Sequence, residues 1–138
     1  MKFADVTPNL VVADVARSLA FYRDVLGFSL VASVPEVSPP YVFAWVQRDN
    51  VNVFLNSAES VKEHATIASR PIGGTNTLFI VLEAATVTEG VDAMFAAVGG
   101  RAKVFMALKD QFYGMREFGI EDPDGYAIFF AQQLPRTA

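Results

Sequence analysis

The sequence contains the same order of elements twice, with a period of roughly 70 residues. In each copy a short β-type segment is followed by an amphipathic helix and then by three further β-type segments. The predicted strands lie at about 6–12, 28–35, 41–48 and 51–57, then at 77–83, 101–107, 112–120 and 126–132, and the helices at about 15–26 and 86–98. We therefore predict an α+β fold in which two tandem βαβββ modules form a curved mixed sheet that encloses a cleft. The modules cover about 3–57 and 75–133 of a single domain, 1–138, with a polar linker at about 58–74.

Capping and turn residues support these boundaries. Asp14 stands at the N-cap of the first helix and Gly27 follows its last turn. Thr86–Glu89 has the spacing of a capping box at the start of the second helix. Asp49-Asn50 predicts a two-residue hairpin turn, and Asp122–Gly125 predicts a type I turn that ends with a glycine in the left-handed region.

The two turns fix the register of two hairpins, with Trp45 opposite Phe54 and Phe118 opposite Phe130. Because side chains alternate along a strand, each sheet has an aliphatic face for its helix and a second face, which we call the mixed face. The mixed faces carry Thr7, Asn9, Phe43, Trp45, Gln47, Asn52, Phe54 and Asn56 in module one, and Thr77, Phe79, Tyr113, Met115, Glu117, Gly119, Ala127, Phe129 and Ala131 in module two. Rings among a few polar groups are typical of a small-molecule pocket. The predicted ligand-binding residues are Phe43, Trp45, Asn52, Phe54, Phe79, Tyr113, Met115, Glu117 and Phe129.

Composition excludes several classes of partner. The chain has 138 residues, of which 52% are hydrophobic, so one domain can close a core. Its formal net charge of −4 has the wrong sign for binding phosphates, so no nucleic acid partner is expected. No apolar run approaches the ~20 residues of a membrane helix, so no membrane partner is expected either. The absence of cysteine excludes thiolate sites and favours a cytoplasmic location.

Residues that could perform chemistry are few. His64 is the only histidine, and it lies in the polar linker, where we predict a solvated side chain. Glu117 is the one acid that strand alternation places firmly on a mixed face. No glycine-rich loop precedes a helix, and no Ser-His-Asp set is credible. We therefore predict no cofactor and no catalytic residue, except that Glu117 is the candidate if the protein is an enzyme.

Two segments of the chain resemble signatures of the vicinal oxygen chelate superfamily. Val12–Asp14 followed by Ser18–Phe28 is similar to the signature of the family's first module. Tyr113–Phe118 with Asp122–Tyr126 is similar to the signature of its last hairpin. The family includes glyoxalase I, extradiol dioxygenases, fosfomycin-modifying enzymes and bleomycin resistance proteins. The resemblance covers essentially the whole chain and implies the two-module βαβββ fold.

The resemblance also implies where a divalent metal would be held in the family's enzymes. The four inward metal positions, usually His or Glu there, fall on Thr7, Phe54, Thr77 and Phe129 in this sequence. Phenylalanine has no lone pair, and a neutral threonine hydroxyl is a poor ligand for a divalent ion. We therefore expect no metal site, in the character of the metal-free members that resemble bleomycin resistance proteins.

Three functional hypotheses follow. The first is sequestration of a small aromatic or cationic ligand, such as an antibiotic, in an aromatic cleft. The alternative is an enzyme, either a glyoxalase-like lyase or isomerase or a dioxygenase with non-standard metal ligands, or a catalyst that uses Glu117 as general base. The third is an interaction module whose aromatic face is covered by a partner.

Two further expectations concern Arg116 and assembly. Strand alternation places Arg116 on the helix side with a structural role, whereas a register slip by one residue would bring it into the cleft and favour an anionic ligand. Since small curved sheets leave exposed edges, and since relatives of this length are usually dimeric, we expect a homodimer.

Overall fold

The structure, a computed structural model, describes residues 1–136. It divides into two compact units, Met1–Gly74 and Thr75–Ala138. The first unit contains β1 (Asn9–Val12), α1 (Val15–Asp24), β2 (Ser29–Val34), β3 (Phe43–Arg48), β4 (Val51–Ser57) and α2 (Ala65–Ala68). The second contains β5 (Thr77–Val81), α3 (Ala93–Val98), β6 (Lys103–Asp110), β7 (Met115–Glu121) and β8 (Ala127–Gln133). The predicted α+β fold with two repeated βαβββ modules is confirmed, and its strands form two four-stranded mixed sheets. That the whole chain is one domain stays a prediction.

Each sheet places its first strand beside its last. The strand orders are β1-β4-β3-β2 and β5-β8-β7-β6, with the first pair of each sheet parallel and the other pairs antiparallel. The predicted registers are confirmed, since Trp45 lies opposite Phe54 and Phe118 opposite Phe130. The long connection from the first strand to the second in each unit contains the helix, as a crossover within a sheet requires.

Helix α1 packs on the aliphatic face of the first sheet. Its residues Val15, Leu19 and Tyr22 are buried, as are the strand residues beneath, so this layer is the core of the unit. The Asp14 carboxylate accepts a hydrogen bond from the backbone N–H of Arg17 at 3.2 Å, which confirms the predicted N-cap.

The second helix is interrupted where the sequence predicts a uniform one. A π-type turn at Thr88–Asp92 comes first, and the regular α3 follows. The buried amide of Gln132 lies against this turn: its Oε1 accepts a hydrogen bond from the Val91 N–H at 2.8 Å, and its Nε2 donates to two carbonyls before the helix. A Cβ at Gly90 would lie 1.9 Å from that Oε1, so the approach depends on glycine. The Gln132 side chain of β8 therefore provides hydrogen-bond partners for backbone groups at the start of this helix, where the helix itself supplies none.

Some predicted boundaries are wrong by a few residues. Thr7 precedes β1, because Pro8 has no N–H to donate and the ladder therefore begins at Asn9. Tyr113 precedes β7, because Gly114, with a φ of 84°, belongs to the turn that ends before Met115. The predicted linker contains a 3₁₀ turn and the short α2.

No helix within residues 1–136 combines the length and the hydropathy that a membrane span requires.

Candidate functional site

The mixed face of module one is aromatic and uncharged. Phe54 lies between Phe43 and Trp45, with ring centroids 5.2 Å and 5.9 Å away, and both pairs are edge-to-face. All three rings are half-buried. This geometry, in which the positive edge of one ring meets the negative face of another, is favourable and holds the three predicted rings in fixed orientations.

The amides of the same face bond to their neighbours. The Trp45 indole Nε1 donates to Asn52 Oδ1 at 2.8 Å, and the Asn56 side-chain Nδ2 donates to the side-chain Oδ1 of Asn9. Ligand binding by Asn52 stays a prediction, and its side-chain oxygen is an acceptor for the indole. The amide of Asn52 therefore fixes the orientation of Trp45.

The mixed face of module two carries a row of three rings. Phe129 lies 6.1 Å from Phe79 and 5.3 Å from Phe105, measured between ring centroids. Phe79 and Phe105 are 51% and 44% exposed, which is unusual for phenylalanine. Phe79 and Phe129 were predicted here, whereas Phe105 was not.

Phe105 lies on this face by ordinary strand alternation, one residue after the Val104–Ile120 pair, at a position where β6 also has a β-bulge. Val104 pairs with Ile120 and Met106 with Gly119, so two residues of β6 advance against one of β7, with Phe105 as the extra residue. A Cβ built on Gly119 would lie only 2.3 Å from the Phe105 ring, which shows that the ring lies directly over this glycine. Phe105 was not predicted because no turn was assigned between its strand and the next, so the sequence left the face of each β6 residue open.

Glu117 lies on the same face of β7, two residues before Gly119. It is 3% exposed. The Tyr113 hydroxyl, from the turn before β7, donates a hydrogen bond to Glu117 Oε1. The other oxygen, Oε2, is buried and has no hydrogen-bond partner within the part of the chain that the structure describes. This contact brings together two predicted site residues although Tyr113 lies outside the strand.

The carboxyl group of Glu117 is therefore half-satisfied. Its hydrogen bond raises the pKa of Tyr113 above the ordinary 10.0, because loss of the Tyr113 proton would remove that bond and place two negative charges together. A buried acceptor without a partner costs about 1–3 kcal/mol, and such groups are rare in folded proteins. A ligand with an N–H donor would satisfy Oε2.

Met115, the remaining predicted residue of this face, is the first residue of β7. It lies opposite Gln133 of β8 and is partly exposed. On the same face of β7 as Glu117, its flexible thioether offers a ligand an apolar surface rather than a polar group.

The positions that the family resemblance assigns to a metal do not fit one. Phe54 and Phe129 pack against other rings on their own sheets, and Thr77 lies on β5 opposite Ala127. Thr7 lies just before β1, and a neutral threonine hydroxyl is a poor ligand for a divalent ion. Over residues 1–136 no group of three or more His, Asp or Glu side chains could hold an ion. These donors do not suit a divalent metal.

Arg116 lies on the other side of β7, as strand alternation predicts. Its Nε donates to Asp110 Oδ1 at 2.6 Å and its Nη1 contacts the Asp92 carboxylate at 3.1 Å. The bond to Arg116 holds the pKa of Asp110 below its ordinary value of 3.8. Arg116 thus links β6, β7 and the start of the helix, and it is not available as a partner for an anion on the mixed face.

Three comparisons with known proteins agree with the two-module fold. Residues 3–130 match the family model for the Glyoxalase/Bleomycin resistance protein/Dioxygenase superfamily. A bleomycin resistance protein from Geobacillus stearothermophilus is 30% identical over 131 residues, which cover 92% of this chain and 95% of the relative.

Two solved structures share the fold. A glyoxalase/bleomycin resistance protein/dioxygenase from Nocardioides has a TM-score of 0.76 and 19% identity, and the match covers 99% of this chain and 87% of that one. The bleomycin-binding protein of Streptomyces verticillus, solved in complex with copper(II)-bleomycin, has a TM-score of 0.63 and 21% identity, with 99% of each chain covered.

Proposed function

The chain belongs to the Glyoxalase/Bleomycin resistance protein/Dioxygenase superfamily, and we propose that it is a metal-free, cytoplasmic member that sequesters a small aromatic, cationic, antibiotic-like molecule. The observation that carries this proposal is Glu117 Oε2, a buried acceptor without a partner among the described residues. It lies on a face with exposed aromatic rings, so the ligand needs both an N–H donor and a flat apolar surface. The membership itself agrees with the resemblance that the two signature segments indicate.

The acid of the mixed face and the net charge of the chain favour a cationic ligand, although Lys109 of β6 lies opposite Glu117 in the ladder. Glu117 is the only ionisable side chain among the predicted ligand-binding residues apart from Tyr113, and the chain as a whole has a formal net charge of −4. A cation is attracted both by a carboxylate and by the negative faces of aromatic rings. An ionised donor also forms a shorter and stronger hydrogen bond to a carboxylate than a neutral donor does.

The aromatic rings support a planar ligand. Phe79, Phe105 and Phe129 form a continuous row, and two of them are about half exposed. Stacking contributes about 0.5–1.5 kcal/mol per ring beyond the area it buries. Three such contacts and one charge-assisted hydrogen bond contribute about 3–7.5 kcal/mol, and burial of the ligand's apolar area supplies the remainder of the roughly 8 kcal/mol of micromolar affinity, without a covalent step.

The test is calorimetric titration with bleomycin, with and without copper(II), and with the planar cation proflavine. We expect the wild-type protein to bind at least one of them, and Glu117→Gln to weaken that binding by about tenfold or more, since a charge-assisted hydrogen bond is worth about 1.5–3 kcal/mol. Glu89→Gln is the matched control, because it removes the same charge from the first turn of the helix layer. Equal weakening in both variants, or no binding by the wild-type protein, contradicts the proposal.

The same carboxyl favours one alternative, catalysis by Glu117 as a general base. A buried carboxylate whose second oxygen is free could accept a proton from a bound substrate. Mass spectrometry of the compound recovered after binding separates the two functions. Sequestration returns the ligand unchanged, whereas catalysis returns a product that Glu117→Gln does not form.

We also infer that the protein is a homodimer. The edge strand β2 exposes Val31 and Val34 at 45% and 54%, and an unpaired edge with apolar side chains is a site of association. Twofold dimers are the commonest closed assembly. Light scattering at micromolar concentration should give twice the chain mass of 15.0 kDa, and a mass of one chain contradicts this inference.

A further inference from the structure

The two mixed faces differ at equivalent positions of the repeat. The ladders of both units have the same register, with Trp45 opposite Phe54 in the first and Gly119 opposite Phe129 in the second. By the same register Phe43 corresponds to Glu117, since these residues lie opposite Asn56 and Ala131. Module two therefore has an acid where module one has a ring, and small residues where module one has an indole and an amide.

A bulge occurs at the same place in both second strands. In module one the extra residue is Val31, between the pairs Leu30–Val46 and Ala32–Trp45. In module two it is Phe105, between the pairs Val104–Ile120 and Met106–Gly119. Where the third strand carries a large ring, the bulge residue is the smaller valine, and where the third strand carries glycine, the bulge residue is phenylalanine. In module one the ring belongs to the third strand itself, as Trp45, whereas in module two the ring over the third strand is Phe105 of the second strand.

This exchange places an aromatic ring one position along the mixed face of β7 from Glu117. The Phe105 ring starts from the edge strand, lies over Gly119 and reaches Phe129 on β8. Gly119 and Glu117 are adjacent on the same face of β7, so the glycine beneath the ring is the neighbour of Glu117 on that face. Phe105 remains 44% exposed, which leaves ring surface available to a ligand.

We propose that Phe105, whose ring lies over Gly119, is the specificity-determining residue of the module-two mixed face and selects planar aromatic cations over other cations. This inference rests on the proposed function, which assigns the charge recognition to Glu117. Phe105 supplies the shape recognition, because a flat ring stacks on or against it while the ligand nitrogen bonds to Glu117 Oε2. A non-aromatic cation gains only the second interaction.

The experiment compares two cations of equal charge, proflavine and cyclohexylammonium, by calorimetry and by NMR titration. Phe105→Ala should weaken proflavine binding by about tenfold, which corresponds to about 1.4 kcal/mol, and leave cyclohexylammonium within about twofold. Phe3→Ala, which removes a ring that is 90% exposed and lies before β1, is the matched control and should change neither affinity. Glu117→Gln should weaken both cations.

A second variant keeps the test independent of removing the ring. Gly119→Ala places a Cβ where the Phe105 ring lies, so the ring must move, and we expect the loss of proflavine affinity to resemble that of Phe105→Ala. The double variant should bind proflavine no more weakly than Phe105→Ala alone, because both substitutions remove the same interaction, that of the ligand with the Phe105 ring. Thermal unfolding of each variant shows that it is folded.

The outcomes separate this inference from the function beneath it. If the wild-type protein binds neither cation, both fail. If Glu117→Gln weakens binding but Phe105→Ala leaves the preference for proflavine unchanged, the selection by Phe105 is wrong and the role of Glu117 stands. Loss of both cations in Phe105→Ala also contradicts the inference, because the ring would then support the carboxyl rather than select the ligand.

Discussion

Replacing Glu117 by methionine is expected to stabilise the protein while it weakens ligand binding by about tenfold or more. The side chain is 3% exposed and one of its oxygens has no partner among the described residues. Methionine has a similar volume and needs no hydrogen bond, so it fills the same space without an unsatisfied acceptor. A gain in stability on substitution is expected for a residue that is kept for function at a cost in stability, and it is not expected for a residue that stabilises the fold.

The magnitude follows from two opposing effects. Removing the buried unpaired acceptor gains about 1–3 kcal/mol in the free energy of unfolding. Losing the hydrogen bond from Tyr113 costs about 1 kcal/mol, because that side chain is 47% exposed and its hydroxyl can bond to water instead. The net expectation is a gain of about 1 kcal/mol, or roughly 3–5 °C in Tm for a domain of this size.

Urea denaturation and differential scanning calorimetry of Glu117→Met measure this change. Glu89→Met serves as the control, since substitutions of exposed residues stay within about 0.5 kcal/mol. A loss of more than about 1 kcal/mol in Glu117→Met would show that the carboxyl is part of the fold's own hydrogen bonding, and the assignment of Oε2 to a ligand would then be refuted.

Two other predictions concern the fold of module two. Gln132→Leu leaves the buried N–H of Val91 without its acceptor and should lower the free energy of unfolding by about 2–4 kcal/mol in urea denaturation, and a loss below about 1 kcal/mol would contradict the anchoring role of this amide. Arg116 holds the pKa of Asp110 below 3.8 in the folded state, so this pair contributes stability above about pH 4 that is lost as the pH falls through the lowered folded value. Asp110→Asn should therefore lose less stability than the wild-type protein between about pH 5 and pH 2, and parallel pH profiles of the two would contradict that assignment.

The fold was largely predictable because local signals and alternation agree. The turns at Asp49-Asn50 and Asp122–Gly125 set two hairpin registers, and once these were fixed, alternation assigned Trp45 and Glu117 to mixed faces. The resemblance to known signatures agreed with the same two modules, and the family comparison confirms it.

The features that the sequence did not predict depend on contacts between residues that are distant in the sequence. The position of the Phe105 ring over Gly119 depends on the pairing of β6 with β7, and no turn residue assigned in the sequence fixes the register of that pair. The interruption of the second helix depends on Gln132, which follows that segment by about 40 residues and lies on the last strand. Nor does the sequence show that the Asn52 amide bonds to the Trp45 indole, since alternation assigns a face but not a partner.

The account is tested most directly by a crystal structure of the protein with bound proflavine or bleomycin. We predict a ligand nitrogen at about 2.8 Å from Glu117 Oε2, with an aromatic ring of the ligand against Phe105. A ligand bound elsewhere, with Glu117 Oε2 still unpaired, would contradict the central claim.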